Sequence, residues 1–255
     1  MDVLSATKTA VSRSYTPGEN VTYVLSIVNS GEAAVTGLTV TDDLGGFTLG
    51  DQTVYPLAYE DGSLLYLADG TPQPAPAVTA GPPLVIQGID VPGNGNVTLI
   101  YEARVTGYAP LGAGAVITNT AAVEGGCAPL TASATIPMAD EAELTISKAV
   151  SPAVVEGCGE LTYTFVIQNT GSEAAGAEAM VSVADTFDPV LTDLTVSLDG
   201  ASLARTIDYT YDETTGHFVT VPGQITVPGA SYTQNADGTW TTTPGVTVLT
   251  VAGTL

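Results

Sequence analysis

The chain repeats itself. Leu4-Ser-Ala-Thr-Lys8-Thr-Ala-Val11 returns as Leu144-Thr-Ile-Ser-Lys148-Ala-Val150, and these are the only two lysines among 255 residues. A turn follows each, and then Val21-Thr-Tyr-Val-Leu-Ser-Ile-Val-Asn-Ser-Gly31 or Leu161-Thr-Tyr-Thr-Phe-Val-Ile-Gln-Asn-Thr-Gly171. The offset is 140 residues up to this point. Thr39-Val-Thr-Asp42-Asp-Leu44 and Ser182-Val-Ala-Asp185-Thr-Phe187 come next, after a slightly longer loop in the second copy. An internal repeat of this length means two similar domains in tandem. Each has well over a hundred residues, enough to bury a core without staples. The boundaries read as 1–138 and 143–255, joined by the short acidic linker Met138-Ala-Asp-Glu-Ala142.

The period inside each copy is two, the period of a half-buried strand. Segments 21–28, 38–42, 63–68, 84–89, 97–105, 116–123 and 130–137 are expected as strands in the first copy. In the second copy, 161–168, 181–184, 194–198, 207–211, 217–221 and 246–252 are expected. Asp69-Gly70, Gly125-Gly126, Asp199-Gly200, Thr215-Gly216 and Asp237-Gly238 supply turns. Ile225-Thr-Val-Pro-Gly229 matches Ile89-Asp-Val-Pro-Gly93, which sets 246–252 against 97–105. The second copy then has no counterpart of 116–123, so its last strand is apparently absent. Glu173 to Ala179 has helical propensity, but its Gly176 and short length favour a loop. The expected fold is all-β: two tandem β-sandwiches.

Composition narrows function. With 27 acidic residues against 5 basic, the net charge is −22. Such a chain is repelled by nucleic acid and by anionic membranes. No apolar run approaches the ~20 residues of a membrane span. Met1 is not followed by a basic and then apolar leader, so an exported protein would be represented here in trimmed form. Cys127 lies in a turn after one strand and Cys158 in the first turn of the second copy. A strand of about 8 residues covers ~26 Å, which separates the two thiols beyond disulfide reach and leaves them free.

One set of features resembles a known family. Lys8, Tyr23 to Gly31, Val40-Thr-Asp42-Asp-Leu44 and Ile117-Thr-Asn119-Thr-Ala-Ala-Val123 together are similar to the bacterial surface repeats called domain of unknown function 11. The likeness covers most of 4–137, then 144–188, and is looser beyond. It implies Ig-like sandwiches in tandem on exported proteins, placed outside the cell or attached to the wall. It also implies a stalk or adhesion role without enzymatic activity, next to neighbouring repeats of a longer parent. Signal peptide and anchor would lie outside this chain.

Two sites follow from the residues. In the first, a Lys in the first strand, an acid in a middle strand and an Asn in the last strand have the order needed for an intramolecular isopeptide bond. Lys8 would attack Asn119 with help from Asp42, an arrangement that looks like that of self-crosslinking pilin and collagen-adhesin domains. The chemistry needs a desolvated amine and a protonated acid. The simpler reading leaves Lys8 as an ammonium at the sandwich edge, paired with Asp42 or Asp43. Lys148 keeps Asp185 but has no matching Asn, so it is expected as a free amine. In the second site, Trp240, Tyr232 and Tyr211 would form a flat aromatic platform for sugar rings, or else cover a sandwich edge. That site carries the alternative of a carbohydrate- or protein-binding module, with a host or cell-wall glycan or protein as partner. His217 is the only histidine, which leaves no zinc cluster, and no cofactor motif is present.

Overall fold

The computed structural model describes residues 4–155, 157 and 159–255. The chain folds as two all-β units. One comprises residues 1–139 with 233–241, and the other 140–232 with 242–255.

In the first unit the strands are β1 (Leu4–Ala10), β2 (Asn20–Asn29), β3 (Val35–Asp42), β4 (Phe47–Leu49), β5 (Gln52–Val54), β6 (Leu57–Tyr59) and β7 (Leu65–Ala68). They continue as β8 (Thr71–Pro72), β9 (Ala77–Thr79), β10 (Leu84–Val91), β11 (Asn96–Val105), β12 (Val116–Glu124) and β13 (Leu130–Pro137). One sheet runs β1-β2-β11-β7-β8, with β6 also on β11, and the facing sheet runs β13-β12-β3-β10-β9. Alternation decides which side chains fill the space between them. Tyr23, Leu25 and Ile27 of β2 and Val97, Leu99 and Tyr101 of β11 are buried from one side. Leu38 and Val40 of β3, Ile86 of β10 and Ile117, Ala121 and Val123 of β12 are buried from the other. Each fully buried Leu, Ile or Val contributes ~1.5–3 kcal/mol, so the period of two is the principal source of this fold's stability. The sandwich closes at the first strand, because β1 lies against β13 of the opposite sheet.

The second unit contains β14 (Leu144–Ser151), β15 (Glu160–Asn169), β16 (Ala184–Thr186), β17 (Thr192–Leu198) and β18 (Ala201–Ser202). It also contains β19 (Tyr209–Asp212), β20 (His217–Thr220) and β23 (Gly245–Thr254); the hairpin β21 (Ser231–Gln234) and β22 (Trp240–Thr243) is shared between the two units. Its main sheet is β14-β15-β23-β17-β18, and a smaller one is β16-β20-β19. β15 buries every second residue in the same pattern as β2. Phe187 anchors the core, stacked on Tyr163 at 4.7 Å and tilted against Phe218 and Tyr211.

The repeated Asn-x-Gly and Val-Pro-Gly motifs have a shared mechanical role. Asn29 is buried, accepts from Gly31 N–H at 2.9 Å, and donates to the carbonyls of Ala33 and Pro92. Asn169 likewise accepts from Gly171 N–H and donates to Glu173 O. Each Asn thereby satisfies backbone groups of a loop that has no ladder. The opposing Gly93 and Gly229 pack so closely on the Glu32 and Ser172 carbonyl oxygens that a Cβ would lie 2.0 and 2.3 Å from them.

One expectation for a strand changes. The segment 181–183 is not a strand, because the Thr220 hydroxyl takes the Val183 N–H where a ladder carbonyl would stand, and pairing begins at Ala184. Ile225 to Gly229 supplies a single bridge from Val227 to Ala175. The stretch from Glu173 is a loop ending in one 3-10 turn at Ala177–Ala179. Cys127 is an exposed free thiol, whereas Cys158 lies outside the described residues. Among the described residues, no helix is long and apolar enough to cross a membrane.

Candidate crosslinking site

Lys8 is the one residue of β1 that turns fully inward. It stands opposite Leu25 in register, and its side chain is 0% exposed. Asp42 ends β3 and is 1% exposed. Lys8 Nζ donates to Asp42 Oδ2 at 2.5 Å. The Tyr101 hydroxyl donates to the same oxygen, and Leu44 N–H donates to Asp42 Oδ1 at 3.0 Å. The pairing of β2 with β11 places Tyr23 opposite Tyr101, with ring centroids 5.8 Å apart. The Lys8 nitrogen lies 5.0 Å from the Tyr23 centroid and 5.9 Å from that of Tyr101.

Asn119 comes from β12 on the same sheet as Asp42. Ala121 pairs with Asp42, and Asn119 lies two residues further along the same inward face. It is 0% exposed, yet neither its Oδ1 nor its Nδ2 completes a hydrogen bond. An unsatisfied buried polar atom costs about 1–3 kcal/mol, so this side chain does not stabilise the core.

The electrostatics follow from dryness. Burial lowers the Lys8 ammonium from its ordinary range, opposed by Asp42 and then Asp43. Burial, and then the Asp42 charge, push both the Tyr101 and the Tyr23 phenols upward, so both remain protonated donors. A hydrogen-bond contact of the Asn119 side chain with both phenols, too loose to count as a completed bond, opposes that rise. The cluster thus gathers a desolvated amine, an acid in direct contact with it, a phenol on that acid, and an amide with free valences.

The second unit shows the same frame without the site. Lys148 stands opposite Phe165 as Lys8 stands opposite Leu25, and it is ion-paired with Asp185. Its side chain is 40% exposed and that of Asp185 21%. Register sets Tyr163 opposite Val251, so the counterpart of Tyr101 is an aliphatic residue. No strand of the described residues takes the place that β12 has beside β3.

Tyr211 is not available to an aromatic platform. Tyr211 is 6% exposed, with its ring in the core and its hydroxyl hydrogen-bonded to Leu191 N–H and O. It presents no face to solvent. Tyr232 is half-buried and donates to Thr170 O at 3.3 Å, and Trp240 is half-buried with its indole N–H enclosed. The sequence reading missed Tyr101 and Tyr23. Tyr101 falls on the inward positions of its strand, but only the register of β2 against β11 brings it to Asp42.

No protein-family model matches the chain, and no curated protein matches it in sequence. Similar solved structures include the major pilin subunit BcpA of Bacillus cereus, at 13% identity and a TM-score of 0.41, covering 96% of this chain and 66% of that one. The pilus backbone RrgB of Streptococcus pneumoniae gives 10% and 0.36, covering 91% and 52%. ACE19, the collagen-binding subdomain of the Enterococcus faecalis surface protein ACE, gives 9% and 0.35, covering 54% and 97%. Likeness at this level carries no argument about function, and the fold rests on the strand pairing described above.

Proposed function

We propose that this chain is a non-catalytic structural or adhesion module of an exported bacterial surface protein, and that its first unit is stapled by an isopeptide bond from Lys8 to Asn119. One observation carries the staple: a fully buried Lys8–Asp42–Tyr101 cluster beside an Asn119 amide without hydrogen bonds. Proton transfer from Lys8 to Asp42 across their contact gives a neutral amine and a neutral acid, the pair that a dry site favours. The Lys8 Nζ lone pair adds to Asn119 Cγ while Asp42 gives its proton to the amide oxygen. Nζ then loses a proton through Asp42 to Nδ2, the hydroxyl proton returns to Asp42 as the carbonyl re-forms, the Cγ–Nδ2 bond breaks, and ammonia leaves. The product ties β1 of one sheet to β12 of the other.

The resemblance to domain of unknown function 11, the tandem organisation and the acidic surface support the placement outside the cell or on its wall, beside neighbouring repeats. Intact-mass measurement tests the staple. The expected mass is short of the sequence mass by one ammonia, roughly 17 Da, and by no more than one. A mass equal to the sequence mass refutes it.

A second reading, a carbohydrate- or protein-binding module, is favoured by a cleft of about 420 Å³ in the first unit. Tyr55, Tyr59 and Tyr108 line it, with Asp61 and Gln52 as polar groups. A glycan array with Tyr108→Ala as control tests this reading; no binding above that control removes it.

A further inference from the structure

Three tyrosines stand around the cleft of the first unit, and each ring is braced from behind. Tyr59 leans on Tyr101, with ring centroids 6.4 Å apart. Tyr55 lies over Gly46, where a Cβ would come within 2.8 Å of its Cε1. Tyr108 meets the tip of segment 233–241, which belongs to the same unit; a Cβ at Gly238 would stand 3.6 Å from its Cδ1. The Trp240 backbone N–H donates to the Gly107 carbonyl at 3.0 Å and holds the chain just before Tyr108. This brace comes from an insertion between Gly229 and Val246, where the first copy runs directly from Gly93 to Val97. Rings held in place before a ligand arrives lose little freedom on binding.

The cleft is a trough rather than a pit. Its volume of about 420 Å³ adjoins a second hollow of about 290 Å³, and Tyr59, Asp61 and Ala80 line both. Leu57 and Pro82 in the first hollow and Leu64 and Val78 in the second give it apolar walls. Asp61 is the one charged side chain among the described residues of the lining, and the exposed Asp51 and Glu60 lie next to lining residues in sequence. In a chain of net charge −22, such a trough turns anions away and attracts cations. Thr106 Oγ1 is engaged with the Tyr55 carbonyl and the Tyr108 N–H. The tyrosine hydroxyls, Thr53 and the Gln52 amide are the side-chain donors that the lining offers.

We infer that the trough binds an extended proline-rich segment of a partner protein, in the polyproline II conformation, with an arginine or lysine set against Asp61. The inference rests on the second reading above, that the cleft is a binding site, and names its ligand class. A polyproline II strand carries unpaired carbonyls and few N–H groups, so hydroxyl and amide donors are what it requires. Its proline rings offer flat apolar faces to tyrosines, the usual way such segments dock in aromatic-lined grooves. Its conformation is set before binding, which limits the entropy lost. A sugar chain of the same length would need a denser set of polar partners than these walls provide.

The test titrates the whole chain into a fluorescein-labelled peptide of about ten residues, in which proline pairs alternate with alanine and one end is arginine, about 30 Å long when extended. Anisotropy reads binding, and Trp240 fluorescence reports on the loop beside Tyr108. The expected result is saturable binding that Tyr108→Ala weakens at least about tenfold. Asp61→Asn, at an exposed position that leaves the fold intact, weakens it about two- to fivefold. The same change removes the preference for the arginine-ended peptide over a glutamine-ended one. Equal binding of a proline-free peptide of the same charge overturns the proposal, as does no saturable binding up to about 1 mM. Glycan-array binding that Tyr108→Ala abolishes, without peptide binding, overturns it but keeps the cleft as a binding site. Binding of neither peptide nor glycan removes both readings.

Discussion

Asn119→Ala separates a staple from a well-packed core. Asn119 completes no hydrogen bond of ordinary geometry, so its truncation breaks at most a weak contact to the Tyr23 and Tyr101 hydroxyls, and the loss of a few buried atoms is offset by removing two poorly satisfied polar ones. A covalent bridge between Lys8 and Asn119 closes a loop of about 110 residues, and loop entropy then stabilises the unit by about 5 kcal/mol. For a unit of this size that is about 15–20 °C in midpoint temperature. Trp240 is the only tryptophan and belongs to the first unit, so its fluorescence reports that unit's unfolding. Guanidinium unfolding of the wild type and of Asn119→Ala should differ by about this amount, with the mass deficit present in the first and absent from the second. Lys8→Ala is the poorer probe, because it also removes the contact partner of the buried Asp42, and breaking a buried pair costs about 3–5 kcal/mol in its own right. Equal stabilities, together with an undiminished wild-type mass, would refute the staple and leave Lys8–Asp42 as a buried ion pair.

Tyr101→Phe removes the phenol from Asp42 and should slow closure about ten- to a hundredfold without preventing it, read as the time course of ammonia loss after refolding. Lys148→Ala should cost at most about 1 kcal/mol in denaturant unfolding, because its partly exposed pair is screened by water. The Asp212 carboxylate accepts from Thr214 Oγ1 and N–H and from Thr215 Oγ1, which lower its pKa to about 2. With its folded value below the ordinary 3.8, its contribution is present above that pH and lost as pH falls through about 2; NMR titration should show this midpoint, and Thr214→Ala should raise it. Gly229→Ala forces a Cβ onto the Ser172 carbonyl and should destabilise the second unit by on the order of 2–3 kcal/mol in thermal unfolding.

Much of the fold was legible because alternation carries both the strand and its facing direction. The long strands β2, β10, β11, β12, β13, β15 and β23 fall within two residues of their expected ends. The short strands β4, β5, β8, β21 and β22 were not anticipated, since two to four residues hold no readable period, although the Asp69-Gly70 turn after β7 was. In the site, Lys8, Asp42 and Asn119 were readable from order along the chain, whereas Tyr101 was not. Tyr211 sits in an acidic, turn-rich sequence that looks exposed, and only the packing of Phe187 and the Leu191 hydrogen bonds show it to be core.

The sequence by itself determined the repeat, the strand class and the pairing of one lysine with one acid in each copy. Those properties are local or periodic, and an offset of 140 residues is enough to display them. The tertiary structure decided what the two lysines are. Lys8 is sealed because β12 and β13 close the sandwich over β1, which also brings an unsatisfied Asn119 into the same core. Lys148 has the same neighbours along the chain, but no strand among the described residues covers its own, and water reaches its amine. Burial is set by strands more than a hundred residues away, so the same local motif holds a sealed amine in one unit and a water-exposed one in the other.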